Sequence, residues 1–261
     1  MSTKRTDRMR EVLSLLRDRG EVESQVLCAE LSVSAATLRR DLSELEDQGL
    51  LVRTHGGARA LDPSDSEIPV RLRDHRTVAA KRRIAQHAAA LVPAGPQAVA
   101  LTGGVTTGEV ARALKGRPQM TIVTNSLTIA ADCAIDAHMK VIMTGGLVRS
   151  NSLEAVGPMS EHAFQVITVG TAILGADGMS AEVGATTFDE AEARTAIAMA
   201  TNAQCVIVAV DGSKIGKVTL AKMAPLNEID HLVTDSTADA EQLERITAAG
   251  VHVHVVEVSY D

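Results

Sequence analysis

The sequence predicts an α/β protein in two unequal parts: a small helical head closed by a basic hairpin, then a larger body of alternating strands and helices. Three observations carry this. Apolar residues recur at helical spacing through residues 4–45, then give way to two short runs joined by Gly56-Gly57. Residues 61–69 are polar, contain two prolines and show no hydrophobic period. From Gln97 onward, oily β-rich runs alternate with helical segments, the pattern of a mostly parallel, Rossmann-like sheet covered by helices. The boundaries read as residues 1–60 for the head, 61–77 for a linker and 78–261 for the body.

In the head, Met9, Val12, Leu13 and Leu16 mark one buried stripe of a first helix over 4–19, which Gly20 ends. Ser24 reads as the N-cap of a short second helix carrying Leu27 and Leu31. Ser32-Val33-Ser34 is a tight turn, with Val33 between helices and Ser34 capping the third. Leu38, Leu42 and Leu45 share the inner face of that third helix. At about 100° per residue, Ala36, Arg40 and Ser43 lie opposite, flanked by Thr37 and Arg39. Small, hydroxylated and basic residues at the N-terminal end of such a helix suit the major groove of duplex DNA. The run 50–54, the Gly56-Gly57 turn and the return strand 58–60 then form a wing, with Arg53, His55 and Gly56 placed against phosphates. The expected DNA contacts are therefore Ser34, Ala36, Thr37, Arg39, Arg40, Ser43, Arg53, His55 and Gly56. An adjacent Arg pair alone would more often be a solvated surface; the whole constellation of turn, helix and wing favours a winged helix-turn-helix.

Past the linker comes a basic patch of Arg71, Arg73, Arg76, Lys81, Arg82 and Arg83, which leads into a helix over 84–91. It contacts DNA backbone or the head, or simply solvates a helix start. Strands are predicted at 98–101, 120–124, 140–144, 166–174, 205–210, 231–234 and 251–258. Helices are predicted near 108–114, 126–134, 189–202 and 238–249. Ligands bind such sheets beyond the carboxyl ends of their strands. The loops there are rich in glycine and hydroxyls: Thr102-Gly103-Gly104-Val105-Thr106-Thr107-Gly108, Thr124-Asn125-Ser126, Thr144-Gly145-Gly146, Gly175-Ala176-Asp177-Gly178 and Asp211-Gly212-Ser213-Lys214. The first would cradle an anion on helix N–H groups and the Thr106 and Thr107 hydroxyls, although it lacks the lysine-containing pattern of a nucleotide P-loop. The expected ligand residues are Gly103, Gly104, Thr106, Thr107, Asn125, Ser126, Gly145, Gly146, Gly175, Asp177, Gly178 and Lys214. Lys214 would neutralise a phosphate and Asp177 accept sugar hydroxyls; the competing readings are a surface lysine and a turn aspartate.

Composition narrows the partners. With 45% hydrophobic and 23% charged residues, the 261-residue chain can bury a proper core. No apolar run approaches the ~18–20 residues of a membrane helix, and the charged N-terminus has no signal-peptide core, so the expected compartment is the cytoplasm and no membrane partner is expected. The net charge of −7 excludes general stickiness for nucleic acid, yet residues 1–60 balance their charges and the acidic excess falls entirely in 61–261. Phe164, Phe188 and Tyr260 are the full set of aromatics, too few for the stacking platforms of single-strand or RNA binders. Cys28, Cys133 and Cys205 are isolated and read as small buried hydrophobes. No metal cluster, catalytic triad or cofactor motif stands out; His162, His231, His252 and His254 read as isolated structural residues.

Along nearly its whole length the chain resembles the DeoR family of bacterial transcriptional regulators. Residues Val33-Ser34-Ala35-Ala36-Thr37-Leu38-Arg39-Arg40-Asp41-Leu42 and Thr54-His55-Gly56-Gly57-Ala58 match the family's hallmark. In the body, Gly104-Val105-Thr106-Thr107, Val123-Thr124-Asn125-Ser126-Leu127, Gly145-Gly146, Gly175-Ala176-Asp177-Gly178 and Ser213-Lys214 stand in the family's order. The resemblance implies a sensor domain related to sugar-phosphate isomerases and deaminases but used without turnover. It also implies repression of sugar-catabolism genes, modulated by a phosphorylated sugar, on double-stranded operator DNA. With the two-fold logic of helix-turn-helix operators it implies a homo-oligomer, a dimer or tetramer. Three departures stand out: Val105 replaces a threonine, Thr102 an acid, and Gly170 an aspartate. Loss of both acids argues against the main alternative, an isomerase- or deaminase-type enzyme carrying a DNA-binding head.

Overall fold

The computed structural model describes residues 3–61, 67–73 and 78–258. Most of the linker's first half, Arg76 of the basic patch and the aromatic Tyr260 lie outside the described residues. The chain divides into two compact units, Met1–Arg76 and Thr77–Asp261.

In the first unit, α1 (Thr3–Arg19) buries Met9, Val12, Leu13 and Leu16. Gly20 stops it in the left-handed region at φ 77°, where its N–H still reaches the Leu16 carbonyl at 2.8 Å. A short strand that the sequence pattern did not reveal, β1 (Glu21–Glu23), precedes α2 (Ser24–Glu30). Ser24 is not the expected cap: it is the first helical residue, and its N–H is spent on the Gly56 carbonyl at 2.7 Å. The turn then delivers α3 (Ala35–Asp47), and Ser34 caps it as expected, accepting from the Thr37 N–H at 3.3 Å. The hairpin β2 (Leu51–Arg53) and β3 (Gly57–Ala60) pairs antiparallel, and β3 lies between β2 and β1. A side chain at Gly57 would collide with the Val22 backbone, which explains the second glycine of the hairpin. Within the stretch expected to be a linker, residues Val70–Leu72 form a 3₁₀ turn. Leu72 is buried in the head's core and Ile68 packs against it, two apolar side chains in an otherwise polar stretch.

The second unit opens with α4 (Val78–Leu91), longer at its start than expected. Seven parallel strands follow: β4 (Gln97–Leu101), β5 (Met120–Thr124), β6 (Lys140–Met143), β9 (Val169–Leu174), β12 (Ala203–Ala209), β14 (His231–Asp235) and β15 (His252–Val256). Their order is β15-β14-β12-β9-β4-β5-β6. The winding runs outward from β4 through β5 to β6, then reverses through β9 to β15, so the switch point lies between β4 and β9. One face packs with α4, α5 (Val105–Ala113) and α6 (Leu127–Ala134); the other face carries the core that includes α8 (Glu190–Thr201) and α9 (Ala240–Ala248).

Several pieces were not legible in the pattern. The hairpin β7 (Leu147–Val148) and β8 (Ala155–Val156) is very short. Helix α7 (Pro158–Gln165) ends at Val166, where the sequence predicted a strand to begin. A second antiparallel sheet pairs β10 (Gly178–Ser180), β11 (Gly184–Thr187) and β13 (Ala221–Ala224).

Candidate DNA interface and ligand site

In the head, α3 turns Leu38, Leu42 and Leu45 inward and leaves Ser34, Ala36, Arg39 and Arg40 exposed, with Thr37 and Ser43 half-buried. Arg53, His55 and Gly56 are exposed on the hairpin. Arg53 Nη1 lies 3.5 Å from Ser43 Oγ, tying the wing to the same face of α3. Among the described residues, neither Arg39 nor Arg40 has an ion-pair partner. Asp41, within the same motif, behaves differently. It is 1% exposed, accepts from Arg5 Nε at 3.2 Å and from Arg8 Nε, and so clamps α1 to α3. The hydrogen bond to Asp41 raises the Arg8 guanidinium pKa. Periodicity could not reveal this, because an acidic residue inside a basic motif reads as one more surface charge.

In the body, the five expected loops follow the carboxyl ends of β4, β5, β6, β9 and β12. At the switch point, Gly175 N–H donates to Thr102 Oγ1 at 2.9 Å, and a Cβ on Gly175 would press on the Gly103 carbonyl. Thr102 is therefore a fastener between the two halves of the sheet. Gly104, at φ 127°, turns the chain so sharply that α5 begins at Val105, earlier than expected. Thr106 and Thr107 then lie in its first turn, and Thr107 Oγ1 donates to the Gly104 carbonyl at 3.2 Å. The first N–H groups of any helix lack internal partners; here they face the strand ends.

Asn125 is 2% exposed, and its amide is oriented by Nδ2–H donating to the Ala155 carbonyl at 3.1 Å. Its Oδ1 is buried with no hydrogen-bond donor among the described residues. Ser126 caps α6 and bonds Thr128, so its hydroxyl is largely committed. Gly145 and Gly146 are exposed, and Gly146 permits close approach of Val156 across the β7–β8 hairpin. Gly178 faces Lys217 and Thr186, where it lets two backbones approach.

The charged groups form a chain across this end. Arg149 pairs with Glu192 and, at 3.2 Å, with Asp189. Thr187 Oγ1 lies 3.1 Å from both Asp177 and Glu192, and its single proton serves one of them at a time. Lys214 Nζ is 3.9 Å from Asp177, and Lys81 Nζ is 3.8 Å from Asp211. Burial pushes the Asp211 carboxyl up, but Lys81, Lys214 and the Ser213 hydrogen bonds hold it below the usual carboxylate range. Glu154, from the β7–β8 connection, is 6% exposed and accepts from the Gly103 N–H. Sequence reading singled out Asp177 and Lys214, assigned Lys81 to the basic patch instead, and missed Glu154, Glu192 and Arg149. The Asp211 position was legible as the start of a strand-end loop; the others are brought in by distant elements.

Three expectations are corrected. The basic patch is dispersed: Lys81 is turned into the body toward Asp211, Arg82 pairs with Glu109 at 3.4 Å, and Arg83 bonds the Glu257 carbonyl at 2.5 Å. Gly170 sits near the amino end of β9 beside Gln97, the opposite end of the strand from the ligand loops, so its lost acid bears little on chemistry there. His231, His252 and His254 are not isolated: His231 Nδ1 lies 3.1 Å from His254 Nε2, and the tilted rings of His87 and His252 stand 4.9 and 5.3 Å from those of His254 and His231. Among the described residues no group of His, Cys, Asp and Glu is arranged to hold a metal, and no helix is long and apolar enough to cross a membrane.

Two sequence profiles match the chain. One, described as a DeoR-like helix-turn-helix domain, covers residues 8–64; the other, described as a DeoR C terminal sensor domain, covers residues 76–236. The HTH-type transcriptional regulator GlpR of Haloferax volcanii is 35% identical over 247 residues, spanning 95% of this chain and 96% of the relative. The putative aga operon transcriptional repressor of Escherichia coli O157:H7 is 32% identical, spanning 96% and 94%. The glycerol-3-phosphate regulon repressor of Escherichia coli K12 is 31% identical, spanning 94% and 96%.

Proposed function

The chain belongs to the DeoR family of DNA-binding transcriptional regulators, and from that premise we propose that it represses carbohydrate-metabolism genes under the control of a phosphorylated sugar. Arg39, Arg40, Thr37 and Ser43 read operator bases or phosphates, while Arg53, His55 and Gly56 track the backbone from the wing. The sugar phosphate occupies the carboxyl-end cluster of the body. The observation that carries this reading is the convergence there of unlike donors and acceptors. The α5 N-terminus and the Lys214 and Lys81 ammonium groups favour an anion, while the donorless Asn125 Oδ1 and Asp177 suit hydroxyls. Relatives named for glycerol-3-phosphate and for the aga operon support a phosphorylated polyol or sugar as the ligand class. A two-fold operator calls for at least a dimer, which light scattering would count.

The test is a thermal-shift screen of phosphorylated sugars on the full chain, then operator binding with and without the hit. A sugar phosphate that stabilises the protein and changes operator affinity supports the reading; no stabilisation by any of them leaves the body an assembly module. The carboxylates Asp177 and Glu192, joined through Thr187 with Lys214 beside Asp177, favour a second reading, residual aldose–ketose isomerase chemistry. Interconversion of the hit in a turnover assay would establish it.

A further inference from the structure

We propose that Glu154 is a built-in competitor for the anion seat, reserving it for ligands that carry hydroxyls as well as a phosphate and rejecting inorganic phosphate. The inference rests on the sugar-phosphate reading of this site. The Gly103 N–H, just ahead of α5, is spent on Glu154 Oε1. That carboxylate comes from a residue far along the chain and is 6% exposed. The Glu154 side chain lies tight against the loop: a Cβ on Gly103 would stand 2.6 Å from its Cγ and Oε1, so the two would share that space until the carboxylate turned away. A phosphate drawn to the same N–H groups and helix dipole would meet a like charge in the same place, so one anion must leave.

The backbone around Glu154 is pinned. Leu127 N–H donates to the Leu153 carbonyl at 3.0 Å, Ala155 N–H to the Asn125 carbonyl at 2.7 Å, and Ser126 bridges to Glu154 itself. Leu153 sits in the left-handed region at φ 58°, which aims the next side chain at the loop. Release is therefore a side-chain rotation. The independent sign of a ligand is Asn125 Oδ1 on the adjoining strand end, 2% exposed as a residue, held in orientation by Ala155 and lacking a donor. A ligand that places its phosphate at the helix and a separate hydroxyl on that oxygen gains a second bond that a single inorganic phosphate seated at the helix does not add, and that gain offsets the displacement of Glu154.

The full chain and its Glu154→Gln and Glu154→Asp variants are titrated with inorganic phosphate by calorimetry. Glycine-selective amide labelling follows the Gly103 resonance in each. The expected result is phosphate binding about tenfold tighter in E154Q, from loss of one charge repulsion, with a smaller gain in E154D, whose shorter carboxylate withdraws from Gly103. In each case the Gly103 amide shifts on binding. E154D keeps the charge and serves if E154Q folds poorly. The proposal is overturned if phosphate binds the variants no tighter than the native chain, if the gain leaves Gly103 unmoved, or if E154Q weakens binding of a sugar phosphate that the native chain accepts, which would make Glu154 a ligand contact. A native chain that shifts Gly103 with a sugar phosphate but shows unchanged phosphate affinity in the variants preserves the sensor reading and discards the competitor alone. Silence of Gly103 toward every anion in every variant discards both.

Discussion

Arg40 and Asp41 are neighbours in one motif with opposite duties. Arg40 is exposed without an ion-pair partner among the described residues, so Arg40→Ala is expected to leave the head's melting unchanged. It should also cost about 1–3 kcal/mol of discrimination between operator and random duplex. Competition binding against both duplexes reads this directly, and equal discrimination would remove Arg40 from the groove. Asp41→Ala should do the reverse. It leaves Arg5 and Arg8 facing a buried gap, and since both are partly hydrated already, a loss of about 2 kcal/mol is expected. Faster hydrogen exchange in both α1 and α3, with the body unaffected, is the signature. The spacing of Leu38, Leu42 and Leu45 sufficed to orient the helix and so to expose Arg40. Asp41's role depended on two arginines a helix away, which no local pattern contains. Gly170 teaches the same lesson in reverse: its place in the motif order suggested the site, but its strand carries it to the far end of the sheet.

At the scale of elements, the long periodic segments were legible and the short ones were not. Strand β5 and helices α6 and α8 fall close to their expected bounds because each holds an apolar run long enough to show its period. The two-residue strands β7 and β8 hold no period at all, and α7, with Pro158 at its start, went unpredicted as well. Pairing of β14 with β15 under α4 also creates the histidine group, with His231 directly opposite His252. Burial lowers the pKa of both His231 and His254, and neighbouring histidines lower them further, against a smaller upward pull on His231 from Asp230. Depressed folded values mean that the unfolded chain binds more protons. The body's stability is therefore full above the unfolded histidine pKa of about 6.5 and falls as pH drops through the lower folded values. Thermal melts between pH 7.5 and 5 should show this decline, and His254→Gln should flatten it. An unchanged slope would place the acid sensitivity elsewhere.

For the whole molecule, a regulator requires that ligand and operator each alter the other's affinity by the same factor, typically about 5–150-fold. Titrating the sugar-phosphate hit with and without operator DNA should therefore give two affinities whose ratio matches the operator's own shift. Equal affinities would deny the body any control of the head. Sequence alone determined the division of labour: a winged helix-turn-helix, a parallel α/β body, and glycine- and hydroxyl-rich loops at one end of its strands. These follow from periodicity and turn chemistry, which act over a few residues and are written locally. Only the tertiary structure decided which charges meet. Lys81 left the surface patch for Asp211, Arg149 crossed to Glu192, and Glu154 settled on the Gly103 N–H. Those encounters join elements far apart in the chain, and their partners are selected by packing and desolvation, which no neighbouring residue records.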